Sequence, residues 1–156
     1  MDQRAIVSAL QHQGQVHVRE GNGKVLTLLK LNSWSPEKGK DWIFLLFDLF
    51  QIRSIAGQFS EVSLDIVEFA SKPTIYHTVQ GITIPEGLAA DGEIRFSLIR
   101  DKEWNKLLFQ ASDLVLCKIN EKGPVEFETN LFFPLFSPNL KEMYLSPDGD
   151  VKIIKG

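Results

Sequence analysis

The chain has 156 residues, the usual length of one domain, with 44% hydrophobic and 24% charged residues, a balance that excludes a disordered chain and supports one real core. A net charge of −3 leaves no basic stripe to neutralise phosphates, so a nucleic acid partner is not expected. The only cysteine, Cys117, excludes an intramolecular disulfide, and no apolar run approaches the ~20 residues that a membrane span needs.

Residues 2–12 have the pattern of a helix. Asp2 is placed to cap it, Ile6, Ala9 and Leu10 form an apolar stripe, and Gly14 stands where a glycine stops helices. This opening stretch carries an acidic and a basic residue and no long apolar run, so the expectation is a cytoplasmic protein without a signal peptide. QVHVRE, EGNGK and KVLTLLKL then alternate, turn and continue, as antiparallel hairpin strands do.

DWIFLLFDLFQI (residues 41–52) fits two templates. As a strand it is apolar on both faces, which suits a central position; as a helix it keeps a narrow polar stripe of Asp41, Asp48 and Gln51. Its Phe, Ile and Trp content favours the strand, although Ser35 and Pro36 before it are a helix-start signal. Beyond it, EVSLDIV alternates Val62, Leu64 and Ile66 with Glu61, Ser63 and Asp65, and TIYHTVQGITI places Ile75, His77 and Val79 on one face. Both are expected to be strands. GEIRFSLIR is the cleanest strand, with Ile94, Phe96 and Leu98 inward and Glu93, Arg95 and Ser97 outward.

The period changes at DKEWNKLLFQASD, where Asp101 can cap and Trp104, Leu107, Leu108 and Ala111 follow helical spacing. DLVLCKI, PVEFETNLFF and DVKIIK predict three further strands, separated by the turns EKGP and SPDGD, with Pro134 interrupting FFPLF. The fold expected for residues 1–156 is one α+β domain. Its sheet is mainly antiparallel, strongly curved or partly closed, and packed by one or two helices.

Catalytic motifs are sparse. EGNGK lacks the spacing and the Ser or Thr of a phosphate loop, because Val25 follows Lys24. SPDGD offers Asp148 and Asp150 but no closing bidentate Glu for calcium, and His12, His17 and His77 have no zinc-ligand spacing. No metal and no cofactor is therefore implied. The scattered lysines, Lys118 and Lys122 among them, read as solvated turns or edges. There is no GxSxG elbow, and Cys117 sits in an apolar run where a thiol is inert.

Three residues stand out as ligand-binding candidates. Asp48 interrupts an apolar row and needs a cation, donors or water, with Arg53 and Arg95 as candidate partners; His77 shares a face with Ile75 and Val79 and needs a hydrogen-bond partner. Arg95 would orient an anion. Phe132, Phe133 and Phe136 are an aromatic surplus that predicts a subunit interface. The function expected from these features is binding or self-association, with a homo-oligomer and a small apolar ligand cavity. The alternative is a small metal-independent enzyme with Asp48 or His77 as its acid–base group.

Overall fold

The computed structural model describes residues 3–156, apart from the side chain of residue 120. The expected cap at Asp2 lies outside them. Helix α1 spans Gln3–Gln13 and is followed by the hairpin β1 (Gln15–Arg19) and β2 (Val25–Lys30), as the periodicity predicts. After β3 (Ile43–Leu46) come two short helices, α2 (Ile52–Ile55) and α3 (Glu61–Glu68), and then the antiparallel pair β4 (Thr74–Val79) and β5 (Glu93–Leu98). Helix α4 (Lys102–Gln110) leads into β6 (Val115–Glu121), the two-residue β7 (Phe127–Glu128), β8 (Lys141–Leu145) and β9 (Val151–Lys155).

These nine strands form one sheet in the order β7-β1-β2-β6-β3-β5-β4-β8-β9. The sheet is mixed: β1–β7, β3–β5 and β4–β8 are parallel pairs and the other neighbours are antiparallel. It is also open, because β7 and β9 are opposite edges. Five of the eight pairings are antiparallel, so that part of the expectation holds in part, while the curved or closed α+β sheet packed by one or two helices is corrected to an open, mixed α/β architecture with helices on both faces.

Adjacent residues show why. Leu28 and Leu29, Phe44 and Leu45, and Leu116 and Cys117 are each split between two separate apolar layers. Alternate side chains of a strand point to opposite faces, so a strand buried on both sides reads as continuously apolar. One layer packs Ile6 and Leu10 of α1 and Trp104, Leu107 and Leu108 of α4 against the sheet; the other packs Ile52 and Ile55 of α2 and Val67 of α3. Ser97, expected to face outward, is accordingly only 1% exposed.

Several stretches differ from their expected form, and PVEFETNLFF, expected to be a strand, is one only at Phe127–Glu128. Residues 41–52 are half strand and half helix: β3 ends at Leu46, and Asp48 caps a 3-10 turn by accepting from Phe50 N at 2.8 Å. Gln51 Oε1 completes the stop by accepting from the backbone of Phe47 and Asp48, a reciprocal capping box that no apolar pattern reveals. EVSLDIV is α3, not a strand. Ser60 caps it through Ser63 N, and the buried Ser63 hydroxyl donates to the carbonyls of Ser146 and Pro147. Its alternation suited both templates, and the cap together with docking on the 146–147 turn selects the helix. Strand β8, KEMYL, was missed because only Met143 and Leu145 turn inward.

Candidate functional site

On the face that carries α1 and α4, a transverse row of side chains crosses the sheet. Cys117 of β6 faces Ile43 of β3, Ile43 faces Arg95 of β5, and Arg95 faces His77 of β4. The helices leave this end of the face uncovered. An open cleft of about 630 Å³ lies there, walled by Leu135, Phe136 and Leu140. It is lined by four cationic residues, Lys24, Arg95, Lys118 and Lys155, and three acidic ones, Asp41, Glu121 and Glu142.

The cations come from four elements. Lys24 follows the β1–β2 turn and lies over the ring of Phe136 at 5.5 Å. Lys118 donates to the carbonyl of Lys38 at 3.1 Å and lies 4.8 Å from the Trp42 ring centroid. Such contacts orient an ammonium group while leaving its charge uncancelled. Among the described residues no carboxylate forms an ion pair with Lys24, Arg95 or Lys118.

His77 lines a smaller cavity of about 260 Å³ together with Trp42, Glu93 and Arg95. Asp41 and Arg95 border both spaces. The imidazole Nε2–H donates to Glu142 Oε2, since an ionised carboxylate only accepts, and Nδ1 stands 3.9 Å from Glu93 Oε1. With Nε2 bonded to Glu142 and Nδ1 facing Glu93, the ring is held between two carboxylates, and a carboxylate partner of this kind is what positions a histidine for proton transfer. Cys117 lies in the same row, but burial pushes its thiol well above the usual range, so it remains a neutral apolar neighbour.

Of the sequence candidates, His77 and Arg95 come together as direct cross-strand partners. Asp48 does not join them: its carboxylate caps the turn after β3, pairs with neither Arg53 nor Arg95, and lines neither cavity. Phe133 and Phe136 are core residues, 2% and 6% exposed, and only Phe132 of the three reaches the surface. Their aromatic surplus fills the α1/α4 layer, where Trp104, Phe133 and Phe136 stack edge to face. Lys24, Lys118 and Glu142 were not singled out from the sequence. They carry no shared motif, with Lys24 far from the other two in the chain; only the pairing of β2, β6, β3, β5, β4 and β8 gathers them.

The expected function, binding or self-association around a small apolar cavity, is overturned by this lining and by the fold's relatives. Half of the large cleft's lining residues are charged. No protein-family model matches the sequence, and neither does any curated protein. Solved structures do share the fold. E. coli YciO is 12% identical with a TM-score of 0.70, over 99% of this chain and 89% of its own. P. abyssi Sua5 complexed with L-threonine is 10% identical with a TM-score of 0.68, over 93% of this chain and 52% of its own. Full-length HypF in a phosphate- and nucleotide-bound form is 12% identical with a TM-score of 0.67, over 97% of this chain and 28% of its own. The chain thus spans about half the length of Sua5 and most of YciO. At these identities the likeness establishes the fold, a YrdC-like mixed α/β sheet. No helix among the described residues is long and apolar enough to cross a membrane.

Proposed function

We propose that this protein is a nucleotide-binding enzyme that holds the phosphates of a nucleoside triphosphate in the large cleft and a small zwitterionic acceptor beside it. The observation that carries this reading is the convergence of Lys24, Arg95 and Lys118, none ion-paired to a carboxylate among the described residues, on one open cleft. Preorganised cations of this kind stabilise charge on a transferring phosphoryl or nucleotidyl group, and Arg95 adds a planar fork suited to phosphate oxygens. The three carboxylates in the same wall suit an ammonium group. The nucleotide- and phosphate-bound HypF and the L-threonine-bound Sua5, built on the same fold, support these two ligand classes.

In this reading His77, oriented by Glu142, is the acid–base group: it takes the acceptor's proton as the acceptor bonds to the α-phosphorus of the nucleotide and the α–β bridging bond breaks to release pyrophosphate. A threonylcarbamoyl-AMP synthase-like activity is the specific form suggested by the likeness to Sua5. A cytoplasmic setting belongs to the same proposal, supported by a thiol that is free and buried. The reading is tested by calorimetric titration of ATP, alone and with L-threonine, into the wild-type chain and into a variant combining Arg95→Gln and Lys118→Gln. Binding to the wild type that weakens at least about tenfold in the variant is expected, since each charged hydrogen bond contributes about 1.5–3 kcal/mol. ATP that fails to bind, or binds both proteins alike, overturns the proposal.

A further inference from the structure

Glu121 shares the wall of the large cleft with Lys24 and Lys118. In the β2–β6 ladder it comes opposite Val25, the residue after Lys24, and Lys118 comes opposite Thr27, with a register shift between the two pairs. A carboxylate so placed could close on either ammonium, yet among the described residues it forms an ion pair with neither. The reason lies in β2. The hydroxyl of Thr27, a residue only 1% exposed, donates to Glu121 Oε1 at 3.1 Å.

Thr27 is itself held. It is the direct partner of His17 across the β1–β2 ladder, and His17 Nδ1 lies 2.8 Å from Thr27 Oγ1. An ionised carboxylate only accepts, so the single hydroxyl proton goes to Glu121 and the hydroxyl oxygen accepts from His17 Nδ1–H. In that tautomer His17 Nε2 is an acceptor. Gln15 Nε2 lies 3.5 Å from it, and Gln15 Oε1 accepts from Lys38 Nζ at 2.6 Å. Every donor in the row thus points from the Lys38 ammonium toward the Glu121 carboxylate. Hydrogen bonds that share one direction polarise one another, which strengthens the hold of Thr27 on Glu121. Of the other cleft carboxylates, Glu142 is engaged by His77 and Asp41 is exposed.

We infer that Thr27 is a positioning residue of the cleft: by engaging Glu121 it keeps that carboxylate off Lys24 and Lys118 and leaves both ammonium groups available to a polyphosphate anion. The inference rests on the reading of the cleft as a phosphate site and adds what keeps its cations unpaired. Without the hydroxyl, the Glu121 carboxylate turns to the cations with which it shares the wall. Phosphate oxygens must then displace an ion pair before they bind.

The test measures tripolyphosphate binding to the full chain by calorimetry, with ATP in parallel. Thr27→Val, which keeps the side-chain shape, and Thr27→Ala should each weaken tripolyphosphate about three- to fivefold, the effect of one exposed ion pair. Urea midpoints show which of the two remains folded. Thr27→Ser keeps the hydroxyl and should bind as the wild type does. In a Glu121→Gln background the Val and Ala substitutions should change affinity by less than about twofold, the limit of additivity, a result that a general loss of packing would not give. Four results overturn the inference: affinity unmoved by loss of the hydroxyl, an equal loss with Gln at position 121, Thr27→Ser as weak as Thr27→Val, or no tripolyphosphate binding to the wild type at millimolar concentration. ATP separates the two readings. If tripolyphosphate behaves as expected while ATP does not bind, Thr27 keeps its role and the nucleotide reading alone falls.

Discussion

His77 and Arg95 are direct partners across the β4–β5 ladder, and Glu142 of the next strand holds the imidazole through Nε2. Arg95 thus lines both cavities, and the imidazole beside it lines the smaller one.

If His77 transfers a proton, His77→Gln should lower kcat by about 10²–10⁴-fold while leaving the KM for nucleotide nearly unchanged. A structural role would give the opposite pattern. Cross-strand pairs contribute only ~0.2–1 kcal/mol, so the variant should remain folded. Steady-state kinetics with a urea titration separates the two outcomes. Glu142→Gln, which keeps the shape but loses the charge, should reduce kcat by less than His77→Gln.

Asp48→Asn should leave ATP affinity unchanged, because its carboxylate caps the turn after β3 and lines neither described cavity of the site. Asp48→Ala should lower stability by about 1 kcal/mol through loss of the cap. A calorimetric change in nucleotide binding in either variant would return Asp48 to the site.

Glu20, 2% exposed, accepts from Asn22 N and Lys24 N in the β1–β2 turn and from Phe133 N across the core. It ties the turn that presents Lys24 to the segment that walls the cleft. Glu20→Ala strands these donors and should cost about 3 kcal/mol, measured as a fall in the urea midpoint. Lys24 would also lose its fixed approach, so ATP affinity should fall with it.

Alkaline pH should destabilise the fold through Cys117. Burial raises the folded thiol above the ordinary value of 9.0, so above that pH the unfolded chain releases a proton that the folded chain retains. The folded state then binds more protons, and stability must fall as pH rises, with a limiting slope of about 1.4 kcal/mol per pH unit. Tyr76, raised mainly by burial and partly offset by its Thr74 hydrogen bond and by Arg100, adds to the slope above 10.0. Urea midpoints from pH 8 to 10.5 should show a steeper decline for the wild type than for Cys117→Ala. Equal slopes would show that the thiol is not shielded.

By itself the sequence determined what local periodicity and turn chemistry control. The α1 stripe, the hairpin around EGNGK, the Asp101 cap of α4 and the burial of Cys117 all follow from neighbours within one or two turns of chain. It also singled out His77 and Arg95 as polar residues on apolar strands. It did not place Asp48, because the cap that removes it from the strand depends on a Gln51 side chain folding back. Nor did it resolve α3, where one alternating segment satisfies both periods until Ser63 meets the 146–147 turn.

The tertiary structure alone decided that the sheet is mixed and covered on both faces. Parallel pairing of β3 with β5 and of β4 with β8 joins segments far apart in the chain, and nothing local encodes that choice of neighbour. Together with the antiparallel pairing of β6 to β2 and to β3, they bring Lys24, Lys118 and Glu142 to the cleft. Strand period assigns a side chain to a face; strand order decides which other side chains it meets there.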